Sequence, residues 1–277
     1  MGSVEPRAAE DKRHDALCPL TDRIEQLQRR FPMDDRTRSN LMRALGTIDT
    51  DKRDAFLAKH ADQLSTLETE GPLKYADIGY WAYYSVIYAQ WLNLDRTRPL
   101  EILDIGMGSG NFVMVAQSMG HRAVGTDIDN PFYAELCELM NSERIVAPVQ
   151  SEEPYRPLDR RFDLISIMMP AFHRKRIDGR RHYWSVEDWR GFLRDLTRHL
   201  LKPQGAIFIL MPLDKDDEGT VSYSPLIEWA RNRGAKLDRT LNDGPVRHVL
   251  FSPATEATFA DTPPRVGWKS DIVLPAL

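Results

Sequence analysis

Asp104 stands two positions ahead of three alternating glycines, Gly106, Gly108 and Gly110, with Met107 and Ser109 between them. Glycine spares the backbone a Cβ, so such a run can bend sharply and leave N–H groups bare for a ligand. A second acid, Asp127, follows about twenty residues later, the offset at which nucleotide-binding α/β folds place a carboxylate that accepts from both ribose hydroxyls. A phosphorylated ribose would call for arginine there, and the sequence has none. Asp129 or Asn130, just before Pro131, suits a helix cap better than Asp127 does. The alternative for the glycines is a tight turn without a ligand, but three of them at a buried strand end are costly in chain entropy.

The elements around these residues alternate between strand and helix, the pattern of an α/β fold. Leu100, Ile102, Leu103 and Ile105 form a short branched apolar run, the mark of a strand buried on both faces. Phe112, Val113, Val115, Ala116 and Met119 continue as a helix that Gly120 ends. Further strands are expected over Ala123–Thr126, Arg144–Val149, Phe162–Pro170 and Ala206–Met211, the last after a Lys202–Gly205 turn. Helices are expected from Asn130 to Leu139, after a Ser185/Asp188 capping box, and from Pro225 to Arg233. In the capping-box helix Val186, Trp189, Phe192, Leu193, Leu196 and Leu200 share one stripe. Between it and the next helix, Leu213 to Thr220 read as an acidic loop. Ala235–Leu241 and Val246–Phe251 read as a closing hairpin turned by Asn242–Pro245, and the prolines from Ser252 onward read as an irregular tail.

The pattern D-x-G-x-G-x-G places its third glycine one residue earlier than a dinucleotide fingerprint would, since Asn111 occupies that place. In this form the stretch resembles the first motif of the class I S-adenosylmethionine-dependent methyltransferases. The H-L-L-K-P-Q-G run before the fifth strand is similar to that family's R-x-L-K-P-G-G turn, and the antiparallel ending is the family's own. The resemblance covers roughly residues 98–251. It implies a Rossmann-like seven-stranded α/β sheet, mostly parallel with an antiparallel C-terminal hairpin strand, and S-adenosylmethionine as cofactor with S-adenosylhomocysteine as product. It also implies that Asp104, Gly106, Met107, Gly108 and Gly110 hold the methionine end. Asp127 and Ile128 would take the ribose, Gln150 and Ser151 the adenine, and Met168 would lie at the end of the fourth strand, which faces the methyl. The N/D-P-P-Y/F signature of amino-directed nucleic-acid and protein-glutamine methyltransferases is absent and M-M-P-A-F stands in its place, which argues against adenine-N6 or cytosine-N4 chemistry.

Ahead of this domain, residues 1–19 read as disordered and 20–97 as a helical cap or lid. Helices are expected over Thr21–Phe31, stopped by Pro32, then over Asp34–Leu45 and Asp51–Leu64. These helices are the candidate surface for a homo-oligomer. From Asp77 the aromatics crowd, and Tyr80, Tyr84 and Tyr88 share a face. Packing alone would account for them. A lid over the cofactor or a substrate wall is the functional reading, with Lys74, Tyr75 and Tyr80 facing the pocket, Tyr75 toward the cofactor and Tyr80 and Tyr84 toward the substrate, since electron-rich rings favour a nearby sulfonium.

Beyond the fourth strand lies a basic segment carrying Arg174, Lys175, Arg176, Arg180 and Arg181. It reads either as a solvated loop or as a dock for an anionic acceptor, with Arg174 and Arg176 as substrate residues. His173 is the candidate general base, because imidazole titrates near neutral pH. The acids and histidines are scattered, so no metal site is expected. A net charge of −4 argues against a nucleic-acid partner. Two distant cysteines, a polar N-terminus and the absence of a bilayer-length apolar run point to the cytoplasm and away from a membrane. The expected activity is methyl transfer to an oxygen or nitrogen of a small polar or anionic metabolite. A catalytically silent cofactor-binding protein, or an RNA or protein methyltransferase using the basic segment, are the alternatives.

Overall fold

The computed structural model describes residues 18–31, 33–65, 71–150, 154–178, 180–212, 223–239 and 246–260. The expectations for residues 1–17, Pro32, the acidic stretch 213–220, the 242–245 turn and the tail from 261 onward lie outside these residues. The chain divides into two compact units. One holds the described residues up to Thr97 together with Gly108–His121 and Asn130–Arg144. The other holds Arg98–Met107, Arg122–Asp129 and the described residues from Ile145 onward.

The first unit is helical. Its helices are α1 (Leu20–Arg30), α2 (Asp35–Leu45), α3 (Thr50–Lys59), α4 (Ala61–Ser65), α5 (Ile78–Trp91), α6 (Asn111–Ser118) and α7 (Pro131–Leu139). The expected helix Asp51–Leu64 is two, parted at His60. Side-chain caps start several of them: Asp34 accepts from the Thr37 N–H, Asp77 from Tyr80 and Asn130 from Tyr133, each satisfying a donor the helix cannot. Asp77 also receives Arg23, whose Nε and Nη2 reach its two oxygens at 3.0 and 2.5 Å. That bidentate pair locks α1 to the start of α5, and Arg23 is 3% exposed.

The second unit is the sheet. Its strands are β1 (Glu101–Ile105), β2 (Arg122–Asp127), β3 (Arg144–Val146), β4 (Phe162–Met168), β5 (Arg174–Ile177), β6 (Arg180–Tyr183), β7 (Leu201–Leu210), β8 (Lys236–Arg239) and β9 (Val246–Phe251), although β3 begins at the edge of the first unit. Seven strands pair in the order β3-β2-β1-β4-β7-β9-β8. β1 runs parallel to β2 and β4, β4 parallel to β7, and β9 antiparallel to β7 and β8. This is the Rossmann-like α/β sheet with a reversed C-terminal strand that the sequence implied. Two helices, α8 (Val186–His199) and α9 (Ser224–Arg231), belong to this unit. Trp189, Phe192, Leu193 and Leu196 of α8 pack with Leu103, Ile105, Ile165, Ile167, Ile207 and Ile209 of the central strands. Burying each such side chain contributes about 1.5–3 kcal/mol.

Four differences from the sequence reading have physical causes. β3 stops at Val146 rather than Val149, where Pro148 brings no N–H to a ladder. β7 begins at Leu201, so the expected Lys202–Gly205 turn is a bulge inside the strand, with Gln204 at φ +67° and a register shift between Phe162 and Leu164. The basic segment is no loop but the antiparallel hairpin β5–β6. Asp178, which follows β5, sits at φ +50°, a conformation that hairpin turns use. The tail rejoins the core through Ala254, whose N–H meets the Gly205 carbonyl, and through fully buried Phe259 against Phe251 and Trp229.

Two substitutions on α8 separate packing from backbone entropy. Trp189→Ala should lower the unfolding free energy by about 3–5 kcal/mol. Gly191→Ala should raise it by roughly 0.5–1 kcal/mol, because a Cβ there meets nothing within 4 Å. Urea unfolding followed by circular dichroism measures both, and a destabilised Gly191→Ala would contradict the packing described.

Candidate functional site

The site is built at the carboxyl ends of β1, β2 and β4, which are neighbours in the sheet. At the end of β1 the chain turns through Gly106, Gly108 and Gly110 at φ +76°, +56° and +86°. A side chain at any of the three would be strained whatever the space around it. The turn is pinned from β2, where the Thr126 carbonyl accepts the N–H groups of both Gly106 (2.8 Å) and Met107 (3.0 Å). The Met107 side chain lies across Gly125, where a Cβ would come within 2.6 Å of the Met107 Cβ. Gly125 therefore makes room for the turn, a role that sequence periodicity alone does not reveal.

The turn passes into the first unit at Gly108, where an added Cβ would meet nothing within 4 Å. α6 starts directly after Gly110 without a side-chain cap, so its first N–H groups are not satisfied by one. Buried Asn111 donates from Nδ2 to the Ser109 hydroxyl at 2.7 Å, while its Oδ1 is buried with no hydrogen-bond partner among the described residues. Open space at a glycine, uncapped N–H groups and an orphaned amide oxygen together suit a ligand carrying both acceptors and donors.

Asp104 is 2% exposed and accepts from the Ser166 hydroxyl of β4 at 2.7 Å. Burial pushes its carboxyl up to about 7; the Ser166 bond opposes the rise and the charge of Asp127 adds to it. Asp127 ends β2, and its Oδ1 accepts from the Ile128 N–H at 2.7 Å. Ile128 is 53% exposed, an apolar side chain standing in solvent at the strand tip. Tyr155, which the sequence reading passed over in a proline-rich charged stretch, braces this tip. Its hydroxyl lies 2.6 Å from the Thr126 Oγ1 and donates to the Ala147 carbonyl at 3.2 Å.

Other expected site residues fall in different surroundings. Gln150 is exposed after β3, and Ser151 lies outside the described residues. Met168 ends β4 half-buried, and Met169 follows at φ +52°. His173 is 2% exposed, with its ring 5.7 Å from Tyr183 and 5.9 Å from Trp189, in an aromatic packing cluster rather than at a surface. Arg174 is exposed at the start of β5; Arg176 lies within the same strand, its side chain outside the described residues. Phe172, not singled out in the sequence, lies 3.8 Å from where a Gly106 Cβ would stand and packs on Trp184 and Phe192. In the first unit, Tyr75 meets Trp81 and Tyr133, with Lys74 over Tyr75 and Trp81. Tyr80 and Tyr84 pack on each other and on Phe31. Burial, reinforced by Tyr80, pushes the Tyr84 phenol well above its usual range.

Asp104 makes stability depend on pH. The folded carboxyl keeps its proton to about pH 7, whereas the unfolded one releases it near 3.8. Its contribution is complete below the unfolded value and is lost as pH rises toward 7. Relative to Asp104→Asn, the wild type should therefore lose about 1.4 kcal/mol per pH unit between roughly pH 4 and 7. Urea unfolding of both proteins across that interval gives the slope, and parallel curves would contradict the assignment.

No protein-family model and no curated protein matches the chain. Solved structures do. The 1,6-didemethyltoxoflavin-N1-methyltransferase of Burkholderia thailandensis, solved with its substrate and S-adenosylhomocysteine, is 19% identical over 73% of this chain and 87% of its own, at a TM-score of 0.41. A TehB-like SAM-dependent methyltransferase of Corynebacterium glutamicum is 20% identical over 61% of this chain and 98% of its own, at a TM-score of 0.39. A methyltransferase of Pyrococcus furiosus is 16% identical over 60% and 80%, also at 0.39. These likenesses concern the fold. By its own sheet order, its reversed ninth strand and its glycine turn after β1, the chain has the fold of the class I S-adenosylmethionine-dependent methyltransferases.

Proposed function

We propose that this protein is a methyltransferase that takes S-adenosylmethionine as donor and a small polar or anionic metabolite as acceptor. One observation carries the reading: a left-handed glycine turn ends β1, held by the carbonyl one residue before the carboxylate that ends β2. A nucleoside with a charged amino-acid tail needs both features side by side, bare N–H groups for the tail and a carboxylate for the sugar hydroxyls. The neighbouring Burkholderia enzyme was solved with S-adenosylhomocysteine, which accords with that choice of ligand.

When bound, the donor supplies an already electrophilic methyl group. The protein's own task is to orient and to exclude water. Asp127 would accept from the ribose, with Ile128 beside it as an apolar cover. The turn from Gly106 through Gly110, with Met107, would receive the amino-acid end, and Gln150, with Ser151 outside the described residues, would take the adenine. Asp104, held by Ser166, would orient the turn, and a positive charge bound nearby would favour its ionised form. Met168 closes the end of β4, and Phe172 contributes an apolar wall beside Gly106. Arg174 and Arg176 of the hairpin are candidate acceptor contacts. His173 is left out of the transfer step, since a proton carrier must reach its substrate and this ring is packed among Tyr183 and Trp189.

Calorimetric titration with S-adenosylhomocysteine tests the reading. The wild type should bind with saturating heat, and Asp127→Ala should weaken binding at least tenfold, or about 1.4 kcal/mol. Gly125→Val should do the same by displacing Met107. No heat with the wild type, or full affinity in Asp127→Ala, would contradict the proposal.

A further inference from the structure

At the carboxyl edge of the sheet, β9 enters beside the ends of β4 and β7. The Met211 N–H donates to the Arg247 carbonyl at 3.0 Å, and His248 pairs with Leu210. The Arg247 side chain is thereby placed next to the end of β4. It is 8% exposed, yet among the described residues no carboxylate pairs with it. Its Nε donates to the Met211 carbonyl at 2.6 Å, and its Nη2 faces the Met169 Sδ at 2.8 Å. A thioether is a weak acceptor, so this nitrogen has a poor partner for a buried cation. Guanidinium groups removed from water are ordinarily matched to a carboxylate or phosphate, whose two oxygens fit the planar fork.

Two further observations fall at the same place. Met169, the residue that occupies the fork, is held at φ +52°, a backbone conformation rare for a side chain of its size, and its own side chain is 41% exposed. Tyr223, at the start of α9, is 4% exposed, and its buried hydroxyl has no hydrogen-bond partner among the described residues. The helix that begins just after Tyr223 packs against β9, the strand that carries Arg247. A buried cation and an unspent hydroxyl donor therefore lie on neighbouring elements near the end of β4. An anion entering there would replace the Met169 thioether on the fork and take the phenol proton as a hydrogen bond.

The geometry points to Arg247 and Tyr223 as the binding site for a carboxylate or phosphate group of the methyl acceptor. This rests on the proposed methyltransferase reading for the word acceptor, while the anion site itself stands on the buried guanidinium and the unspent phenol. To the exposed Arg174 of the β5–β6 hairpin it adds a desolvated guanidinium, where a charge-assisted pair discriminates more strongly.

Inorganic phosphate and benzoate serve as probes, each titrated by calorimetry into the full-length protein with and without S-adenosylhomocysteine. At least one should saturate the wild type, and which one does distinguishes phosphate from carboxylate recognition. Arg247→Gln should weaken that anion at least tenfold, Arg247→Lys less, and Tyr223→Phe several-fold, with S-adenosylhomocysteine affinity unchanged in all three. Should Arg247→Gln fail to fold, Arg247→Lys and Tyr223→Phe carry the test. Failure of both anions to saturate the wild type, or wild-type anion affinity in the variants that fold, overturns the assignment. Absence of S-adenosylhomocysteine binding in the wild type would instead sink the methyltransferase reading, while an Arg247-dependent anion would still locate the site.

Discussion

The Thr126 carbonyl accepts two successive N–H groups, those of Gly106 and Met107, and the site's geometry follows from that pairing. A strand that ended in ordinary extended backbone would carry its last donors away from β2. Here the chain curls back at once, which requires a left-handed residue at Gly106 and again at Gly108 and Gly110. Gly125 has to stay small so that the Met107 side chain can lie across β2. Tyr155 in turn fixes Thr126 from its hydroxyl side, so the same residue is braced through both its backbone and its side chain.

Polar groups in the sheet unit divide along its carboxyl edge. Around β1 and β2 they are acids, with Asp104 desolvated and Asp127 at the strand tip. Around β4, β7 and β9 the buried charge is a guanidinium, Arg247. In the proposed reaction the cationic donor would meet the acidic side and an anionic acceptor the basic side. Opposed fields of this kind orient both reactants before any side chain transfers a proton. His173, packed among aromatic rings, is not placed to take a proton from either reactant.

Much of the sheet could be read from the chain because its signals are local. Leu100, Ile102, Leu103 and Ile105 make a branched apolar run around Glu101 and Asp104, the glycines follow at fixed spacing, and the α8 stripe repeats at helical period. What escaped depended on partners distant in sequence. Pro203 and Gly205 suggested a turn, yet β4 holds that segment as a bulged part of β7. Asp178-Gly179 is a hairpin signal that the surrounding arginines obscured. Tyr155, Phe172 and Arg247 sit in unremarkable local sequence, and only the fold brings them to Thr126, Gly106 and Met169. His173 looked accessible because it follows a strand end; three-dimensional packing buries it.

The account stands on the backbone of one turn, and amide hydrogen exchange reads that backbone directly. Exchange measured with and without S-adenosylhomocysteine should slow at Gly108 through Asn111 and at Ile128, since ligand oxygens and cover would replace water there. Unchanged exchange at those amides in protein saturated with the nucleoside would contradict the claim that this turn receives it.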